Sequence, residues 1–266
     1  MSHAAGLRHA ALLLVLVLPA PPACRPAAAD EALADTIERI KPAVVGVGTY
    51  AEIRRPPAQF RGTGFAVGSG NRIATNEHVI SPPLDAAINE RLVVFIGRGK
   101  EVEYRPATVA VVDTEHDLAL LDIPGAPLPA LAPSPAGPPR EGTSIAFTGF
   151  PIGAVLGLNP VTTQGIVSAL TPIALPADRS DQLSTDKLLA LRHPFEVLQL
   201  DATAYPGNSG SPVYRHDDGT VVGIVNMVFV KARKEDMLRD PSAITYAIPS
   251  RFLHELLAAP RGAAAR

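Results

Sequence analysis

Apolar residues along this chain fall in short runs separated by turn-forming residues, a pattern typical of β-strands. Six runs precede residue 124 and six follow residue 143, and the Pro-rich segment 124–142 between them is predicted to be a surface linker. Two sets of about six short strands predict an all-β fold with two six-stranded β-barrels. The predicted strands are 44–50, 64–67, 72–75, 92–96, 107–112, 118–123, 144–148, 161–169, 196–200, 212–214, 221–229 and 243–248.

Two short helices are predicted to flank the barrels. Apolar residues share one face of the segment 30–40, which Pro42 ends, and the segment PSRFLHELL also has apolar residues at helical spacing. The predicted organisation is a helical segment at 30–43 and a β-rich domain at 44–257, followed by a tail at 258–266. Within the domain we expect a first barrel at 44–123, the linker, a second barrel at 143–249 and a helix at 250–257.

The N-terminus has the three parts of a secretory signal peptide. Arg8 and His9 precede the apolar run 10–18, which is too short to cross a membrane as a helix, and Ala27-Ala28-Ala29 follows. We therefore predict a signal peptide over residues 1–29, cleaved after Ala29, and no transmembrane segment in the mature chain.

Cys24 is the single cysteine of the chain and precedes that cleavage site. Cleavage after Ala23 with lipidation of Cys24, as in bacterial lipoproteins, is the alternative, but Pro21 and Pro22 match such a signal poorly. With cleavage after Ala29, the exported domain has no disulfide and depends on its core alone.

Charge and composition argue against two classes of binding site. The 24 basic and 26 acidic residues give a net charge of -2 with no run of like charge, which leaves no electrostatic footprint for nucleic acid. The sequence has no Trp and few aromatic residues, so base-stacking surfaces are not expected either. It also has no Cys and His cluster at metal-ligand spacing, so neither a metal nor another cofactor is predicted.

The segment AYPGNSGSPVYR, residues 204–215, places Ser209 between Gly207 and Gly210. The two glycines let the backbone turn sharply, so Ser209 can project from a tight loop. One interpretation is an ordinary hairpin turn. The other is a nucleophile beside backbone N–H groups that point at a reacting carbonyl.

A nucleophilic serine needs a general base and an acid that orients the base. His78 follows the apolar hairpin RGTGFAVGSGNRIAT where the chain leaves the sheet, and Asp117 stands directly before the apolar run 118–121. A half-buried histidine and a strand-end turn aspartate are the structural alternatives for these two residues. Together, His78, Asp117 and Ser209 follow the chain order of the chymotrypsin-type triad.

Five segments extend this agreement beyond three residues. ATNEHVI, DLALLDI, TTQGIVSAL, LDATAYPGNSGSPV and ITYAIPSRFL occur in order and at fitting distances between residues 35 and 257. They resemble the protease domain of the HtrA/Deg family of trypsin-like serine proteases. The resemblance implies that Ser209 is the nucleophile, His78 the general base and Asp117 the residue that orients it. It also implies an oxyanion hole at Gly207 and Ser209, with Asn208 between them.

The resemblance further assigns the primary specificity pocket. Its base lies six residues before the nucleophile, at Thr203, and Ile224, Val225 and Asn226 are expected to form the neighbouring wall. Because Thr203 is neutral and small, an unpaired Lys or Arg would lose its hydration there without gaining a counter-charge. We therefore expect cleavage after small to medium aliphatic residues and negligible cleavage after Lys or Arg.

Two differences from related proteases, the first from digestive relatives and the second from HtrA/Deg proteins, bear on regulation. Asn208 stands where digestive relatives have an Asp that pairs with a freed N-terminus, so activation by that ion pair is not expected. Family members usually carry one or two C-terminal PDZ domains, whereas nine residues follow Leu257 here. We therefore expect a protease domain without a PDZ domain.

The sequence thus predicts an exported serine endopeptidase of the periplasm or cell envelope, acting on unfolded or specific protein substrates. The alternative, from another functional class, is a catalytically idle barrel that binds peptides as a chaperone-like module. A complete triad favours the enzyme, because a binding module has no need of all three residues. The oligomeric state is left open, a homo-oligomer included.

Overall fold

The computed structural model describes residues 28–99, 101–153, 157–172, 195–226 and 244–259. The helices in these ranges are α1 (Ala28–Ile40), α2 (Glu77–Ile80) and α3 (Ser250–Ala258). The strands are β1 (Val44–Tyr50), β2 (Ala58–Val67), β3 (Arg72–Thr75), β4 (Arg91–Arg98), β5 (Glu101–Pro106), β6 (Thr108–Asp113), β7 (Leu118–Asp122), β8 (Ser144–Gly149), β9 (Val161–Pro172), β10 (Glu196–Asp201), β11 (Pro212–Arg215), β12 (Val221–Asn226) and β13 (Ile244–Pro249).

Strands β1 to β7 form one antiparallel sheet in the order β5-β4-β1-β2-β3-β7-β6. Its edge strands, β5 and β6, are consecutive in the chain and are separated by Ala107 alone. The sheet must therefore curl until its two edges approach each other at this residue, but no ladder joins β5 to β6. The prediction of a closed six-stranded barrel is wrong for this half, which is an open sheet of seven strands.

The unpredicted strand is β5, with the sequence EVEYRP. Its side chains are half-buried or exposed along its whole length, so it lacks the apolar run by which the other strands were predicted. Charged side chains and a terminal proline are typical of an edge strand, because they discourage pairing with a further strand. This edge explains why the sheet does not close.

Strands β8 to β13 form a closed barrel in the order β10-β13-β12-β11-β8-β9, as predicted for the C-terminal half. Apolar side chains from every strand fill its interior, since successive residues of a strand point to opposite faces. The fully buried members include Ile145, Phe147, Val167, Leu198, Leu200, Val213 and Val225.

A separate hydrophobic cluster lies between the sheet and the barrel. Phe65 and Leu120 enter it from the sheet, Tyr214 and Ile224 from the barrel, and Leu253 from α3. All five residues are less than 2 % exposed. Because the two halves and α3 share this cluster, their relative placement is fixed by burial of apolar surface.

The Pro-rich segment 124–142 connects the two halves and contains no regular strand. Val67 forms an isolated parallel bridge with Leu131, and Pro133 forms another with Val221. The segment is therefore attached first to the sheet and then to the barrel.

Several predictions concern residues outside the described ranges. The signal peptide up to residue 27, with Cys24, and residues 260–266 of the tail are among them. The first described helix, α1, begins at Ala28, two residues before its predicted start. None of the described helices combines the length and the apolar character needed to cross a bilayer.

Candidate active site

The turn between β6 and β7 brings Asp117 against His78, which lies in the single helical turn α2. His78 Nδ1 lies 2.6 Å from Asp117 Oδ2, and the His78 backbone N–H donates to Oδ1 of the same carboxylate at 2.8 Å. Because an ionised carboxylate only accepts hydrogen bonds, the proton of the neutral imidazole belongs on Nδ1. Nε2 then keeps its lone pair, which is the tautomer that a general base needs.

Asp117 is held from several directions in an unusual backbone conformation. Its φ is +52°, in the left-handed region that residues other than glycine seldom adopt. Its carbonyl accepts hydrogen bonds from Asn76 Nδ2 at 3.0 Å and from the Glu77 N–H at 3.2 Å. Its Oδ2 also accepts one from Asn226 Nδ2 at 2.6 Å. The carboxylate is therefore fixed by donors from both halves of the protein.

Two glycines shape the loop that carries Ser209. The φ of Gly207 is +103° and that of Gly210 is +87°. A Cβ on Gly207 would lie 2.4 Å from the Phe150 carbonyl oxygen, and one on Gly210 would lie 2.0 Å from that of Thr63. Both backbone conformation and space therefore require glycine at these positions. The close approach lets the Thr63 N–H donate to the Ser209 carbonyl at 2.8 Å, which fastens the loop to β2.

Two backbone donors in this loop are unused. Within the described residues, the N–H groups of Gly207 and Ser209 donate to no protein acceptor, whereas the Asn208 N–H donates to the Tyr205 carbonyl at 2.9 Å. Two unpaired donors separated by one residue can stabilise the negative oxygen of a tetrahedral intermediate. Asn208 lies between these donors, and its own N–H is engaged elsewhere.

Each of these N–H groups shares its peptide with a hydrogen-bonded carbonyl, which fixes the direction of the N–H. The Pro206 carbonyl accepts from the Ile152 N–H at 2.7 Å, and the Asn208 carbonyl accepts from the Ser211 N–H at 3.0 Å. In a trans peptide the N–H points away from the C=O, so each bond directs the following N–H outward. The donors are thus oriented before a substrate arrives.

Strand β2 lies against both the His78 segment and the Ser209 loop. A Cβ on Gly62 would lie 2.8 Å from Val79, the residue after His78, and 3.1 Å from the carbonyl oxygen of Ser209. The structure has no hydrogen bond between the His78 ring and the Ser209 hydroxyl, and Ser209 is 6 % exposed. Such a bond is often long without substrate and shortens in the Michaelis complex.

Residues 62–224 match the family model of the trypsin-like peptidase domain. The chain belongs to the trypsin-like peptidase family. The matched segment includes His78, Asp117 and Ser209, so the candidate triad lies inside the region that defines membership.

Curated relatives of this peptidase are HtrA-type proteins. Serine protease HTRA1A of Danio rerio is 30% identical over 232 residues, which cover 85% of this chain and 40% of the relative. A probable periplasmic serine endoprotease DegP-like of Halomonas elongata is 29% identical over 171 residues, which cover 64% of this chain and 30% of the relative. The chain thus spans less than half the length of these relatives. The HtrA/Deg resemblance is confirmed, and this is a serine endopeptidase family.

Solved structures agree on the fold. Deg5 superposes with a TM-score of 0.60 at 22% identity, covering 86% of this chain and 93% of Deg5. The HtrA-type protease AlgW with a tripeptide gives a TM-score of 0.58 at 23% identity, covering 85% of this chain and 62% of AlgW. The fold is therefore trypsin-like.

The residues predicted to form the specificity pocket lie in different surroundings. Thr203 is half-buried, whereas Ile224 and Val225 are fully buried in two separate hydrophobic clusters. Asn226 directs its amide at Asp117. Residues 227–243, which follow this wall, lie outside the described ranges. The pocket stays a prediction, and the described contacts give Asn226 a role in holding Asp117.

A cavity of about 510 Å³ lies elsewhere on the peptidase. Gly68, Arg72, Asp122 and Leu257 are among the residues that line it, and no triad residue is among them. An acyl-transfer site must contain its nucleophile, so this cavity is separate from the candidate active site.

Sequence reasoning missed three polar residues that shape the site. Thr63 and Asn76 are fully buried and donate to the backbone of the Ser209 loop and of Asp117, and Asn226 was placed in the pocket. A polar residue inside an apolar strand or at its end needs a buried partner. That requirement is the signal by which Thr63 and Asn76 could have been found.

Proposed function

We propose that this peptidase is an exported serine endopeptidase that cleaves proteins through an acyl-enzyme on Ser209. The observation that carries the proposal is the His78–Asp117 pair at 2.6 Å, placed across β2 from a glycine-shaped loop with two unpaired N–H donors. The matched family region and the serine endoprotease names of its relatives support the same chemistry.

The same protein groups act in both steps of the proposed reaction, the formation of the acyl-enzyme and its hydrolysis. Ser209 Oγ attacks the scissile carbonyl carbon while His78 Nε2 takes the Ser209 proton, and Asp117 stabilises the imidazolium that forms. The N–H groups of Gly207 and Ser209 bind the oxygen that becomes negative. When the C–N bond breaks, His78 returns the proton to the leaving amine. Water then attacks the acyl-enzyme by the same route and regenerates the Ser209 hydroxyl.

The relatives and the N-terminal sequence support the proposal of protein substrates and an extracytoplasmic location. Several relatives are named periplasmic serine endoproteases, and the first 29 residues have the pattern of a signal peptide. The intact mass of protein from the native envelope tests export. We expect an N-terminus at Asp30, and a diacylated Cys24 would instead show the lipoprotein route.

A peptide-binding barrel without activity is the second candidate. It is favoured by the low exposure of Ser209 and by the missing hydrogen bond between its hydroxyl and His78. In that case the protein binds denatured chains and leaves them intact. The enzyme and the binding module therefore differ in one result, the appearance of cleaved products.

Digestion of denatured casein separates these candidates. The wild type should produce fragments cut after small or aliphatic residues, and Ser209→Ala and His78→Ala should lower the rate by on the order of 10⁴-fold or more. Ser211→Ala is the matched control, since the Ser211 hydroxyl is fully buried and has no partner among the described residues. Casein retained without cleavage by the wild type would favour the binding module, and cuts after Lys or Arg would refute the pocket.

A further inference from the structure

A second His–Asp pair lies immediately beside the first. His116 Nδ1 lies 2.8 Å from Asp113 Oδ2, and the His116 backbone N–H donates to Asp113 Oδ1 at 3.1 Å. One residue therefore occupies both oxygens of the Asp113 carboxylate. His116 directly precedes Asp117 in the turn between β6 and β7.

Two aromatic side chains enclose the His116 ring. Phe252 in α3 stacks on it with ring centroids 3.7 Å apart and planes 21° apart, and Phe195 contacts it edge-on at 4.7 Å. The two phenylalanine rings also pack against each other at 5.2 Å. The Asp113 side chain is 12 % exposed and that of His116 is 16 % exposed. Packing therefore holds the imidazole in the orientation that its bond to Asp113 requires.

The turn that carries Asp117 has little freedom at its ends. Asp113 ends β6 and pairs with Leu118, the first residue of β7, so four residues must connect two fixed strand ends. A left-handed backbone at an aspartate persists only where surrounding contacts impose it. The donors to Asp117 described above act on its carbonyl and carboxylate, whereas the His116–Asp113 contact acts on the preceding part of the turn.

We propose that His116 is a positioning residue for the reaction. By closing the turn onto Asp113, it sets the backbone of Asp117 so that the carboxylate faces His78. α3 contributes to this arrangement through Phe252, which links the C-terminal helix to the acid of the triad. The inference rests on the proposed function of His78, Asp117 and Ser209.

Two substitutions separate the hydrogen bond from the ring. His116→Phe keeps an aromatic ring between Phe195 and Phe252 and removes the bond to Asp113. His116→Asn keeps a donor nitrogen one bond from Cγ, as in histidine, and removes the ring. If the bond positions Asp117, His116→Phe should lower kcat for a peptide substrate roughly 10- to 100-fold, because small misplacements of a catalytic group have such effects. KM should stay within about twofold, and His116→Asn should recover most of the loss.

The control is His216→Phe, which removes another histidine hydrogen bond, from Nε2 to the Ile145 carbonyl at 2.7 Å. His216 follows the last residue of β11, whereas the Ser209 loop precedes the first, so the strand separates the two. The kcat of His216→Phe should equal that of the wild type. Thermal unfolding shows that each variant is folded, and Asp113→Asn, which removes the charge from the same bond, replaces His116→Phe if that variant unfolds. A wild-type kcat in the folded variant, or an equal loss in His116→Asn and His116→Phe, would overturn the inference. An inactive wild type would instead refute the proposed function.

Discussion

The two halves of this peptidase hold the residues of the proposed triad by different means. In the half with the open sheet, two hydrogen bonds to the Asp117 carboxylate fix His78, one from its ring Nδ1 at 2.6 Å and one from its backbone N–H at 2.8 Å. In the closed barrel, Ser209 is fixed by the backbone of its own loop, between two glycines with positive φ. The positions of His78 and Asp117 therefore depend on hydrogen bonds to a charged group, whereas the position of Ser209 depends on the steric fit of its loop.

A few contacts cross from one half to the other and join the two parts of the site. Thr63 in the sheet binds both the Ser209 and the Gly207 carbonyls, and Asn226 in the barrel binds Asp117. Neither half contains a complete triad. Steric substitutions should therefore lower activity most in the barrel half. Substitutions that change a charge or a hydrogen-bond donor should lower it most in the half with the sheet.

Among substitutions that leave the proposed triad residues unchanged, the largest effect is expected at Gly210. Gly210→Ala would place a Cβ 2.0 Å from the Thr63 carbonyl oxygen at a φ of +87°, so the loop must move away from β2. We expect the rate of casein cleavage to fall roughly 100-fold or more, as for other displacements of a nucleophile. Cleavage rate and thermal unfolding are measured on the same preparation.

Gly142→Ala is the matched control for this substitution. Gly142 has a similar φ of +83°, but nothing lies within 4 Å of a Cβ built there. It shares the backbone strain and lacks the collision, so activity should stay within about twofold, with a stability loss of about 1–2 kcal/mol. Equal losses of activity in both variants would show that backbone strain, and not the collision with Thr63, lowers the activity of Gly210→Ala.

The next effect concerns the contact from the barrel to Asp117. Asn226→Asp keeps the shape of the side chain but replaces a donor by a second carboxylate against Asp117 Oδ2. Two carboxylates at this distance cannot both be ionised without a large cost, and His78 loses part of its stabilisation. We expect kcat/KM at neutral pH to fall roughly 10- to 100-fold.

The same chemical change at Asn71 serves as the control for Asn226→Asp. The Asn71 amide donates to the Ile123 and Gly125 carbonyls, away from the triad. Asn71→Asp should leave kcat/KM near the wild-type value. Wild-type activity in Asn226→Asp would show that the bond to Asp117 has no part in the reaction.

A smaller effect is expected at Thr63, whose hydroxyl donates to the Gly207 carbonyl at 2.7 Å and accepts from the Phe150 N–H at 3.1 Å. Thr63→Val keeps the shape and leaves both backbone groups without this partner. The free energy of unfolding should fall by about 1–3 kcal/mol, the usual cost of an unsatisfied buried group. Urea unfolding checks this value, and an unchanged midpoint would mean that neither bond contributes.

The smallest effect is expected at Glu90, which directly precedes β4 in the half with the open sheet, and it depends on pH. The Thr49 hydroxyl, the Asp85 N–H and the Arg54 guanidinium lower the pKa of Glu90 from its ordinary 4.5 to about 2. A lowered pKa stabilises the folded state above pH 4.5, and this contribution is lost as the pH falls through about 2. The Glu90→Gln variant should therefore have a lower free energy of unfolding at neutral pH. Its free energy of unfolding should fall less steeply than that of the wild type between pH 4.5 and about 2.

Two further carboxylates serve as comparisons for the pH dependence of Glu90→Gln. Glu52 is exposed in the same half, so Glu52→Gln should leave the pH dependence unchanged. In the barrel, hydrogen bonding to Arg215 lowers the pKa of Asp218 to about 2, but the Asp218 side chain is 42 % exposed. Solvent screens that pair, so Asp218→Asn should flatten the curve less than Glu90→Gln. The reverse order would contradict the argument from burial.

The two halves also differ in how far sequence predicts them. Strands such as β1 and β12 have continuous buried apolar runs, and their starts at Val44 and Val221 were predicted. β5 was not predicted, because the exposed charged residues of this edge strand have the sequence pattern of a loop. The glycines of the Ser209 loop indicate a turn by themselves, whereas the φ of Asp117 and the direction of the Asn226 amide depend on contacts with residues distant in sequence.

In the proposed mechanism, the sheet and the barrel together make Ser209 nucleophilic. Mass-spectrometric mapping of a fluorophosphonate adduct on the mature wild type tests it directly, since this reagent reacts with an activated serine. We expect a single adduct on Ser209, much slower labelling in His78→Ala and none in Ser209→Ala. An unlabelled wild type, or an adduct on another serine that persists in Ser209→Ala, would contradict it.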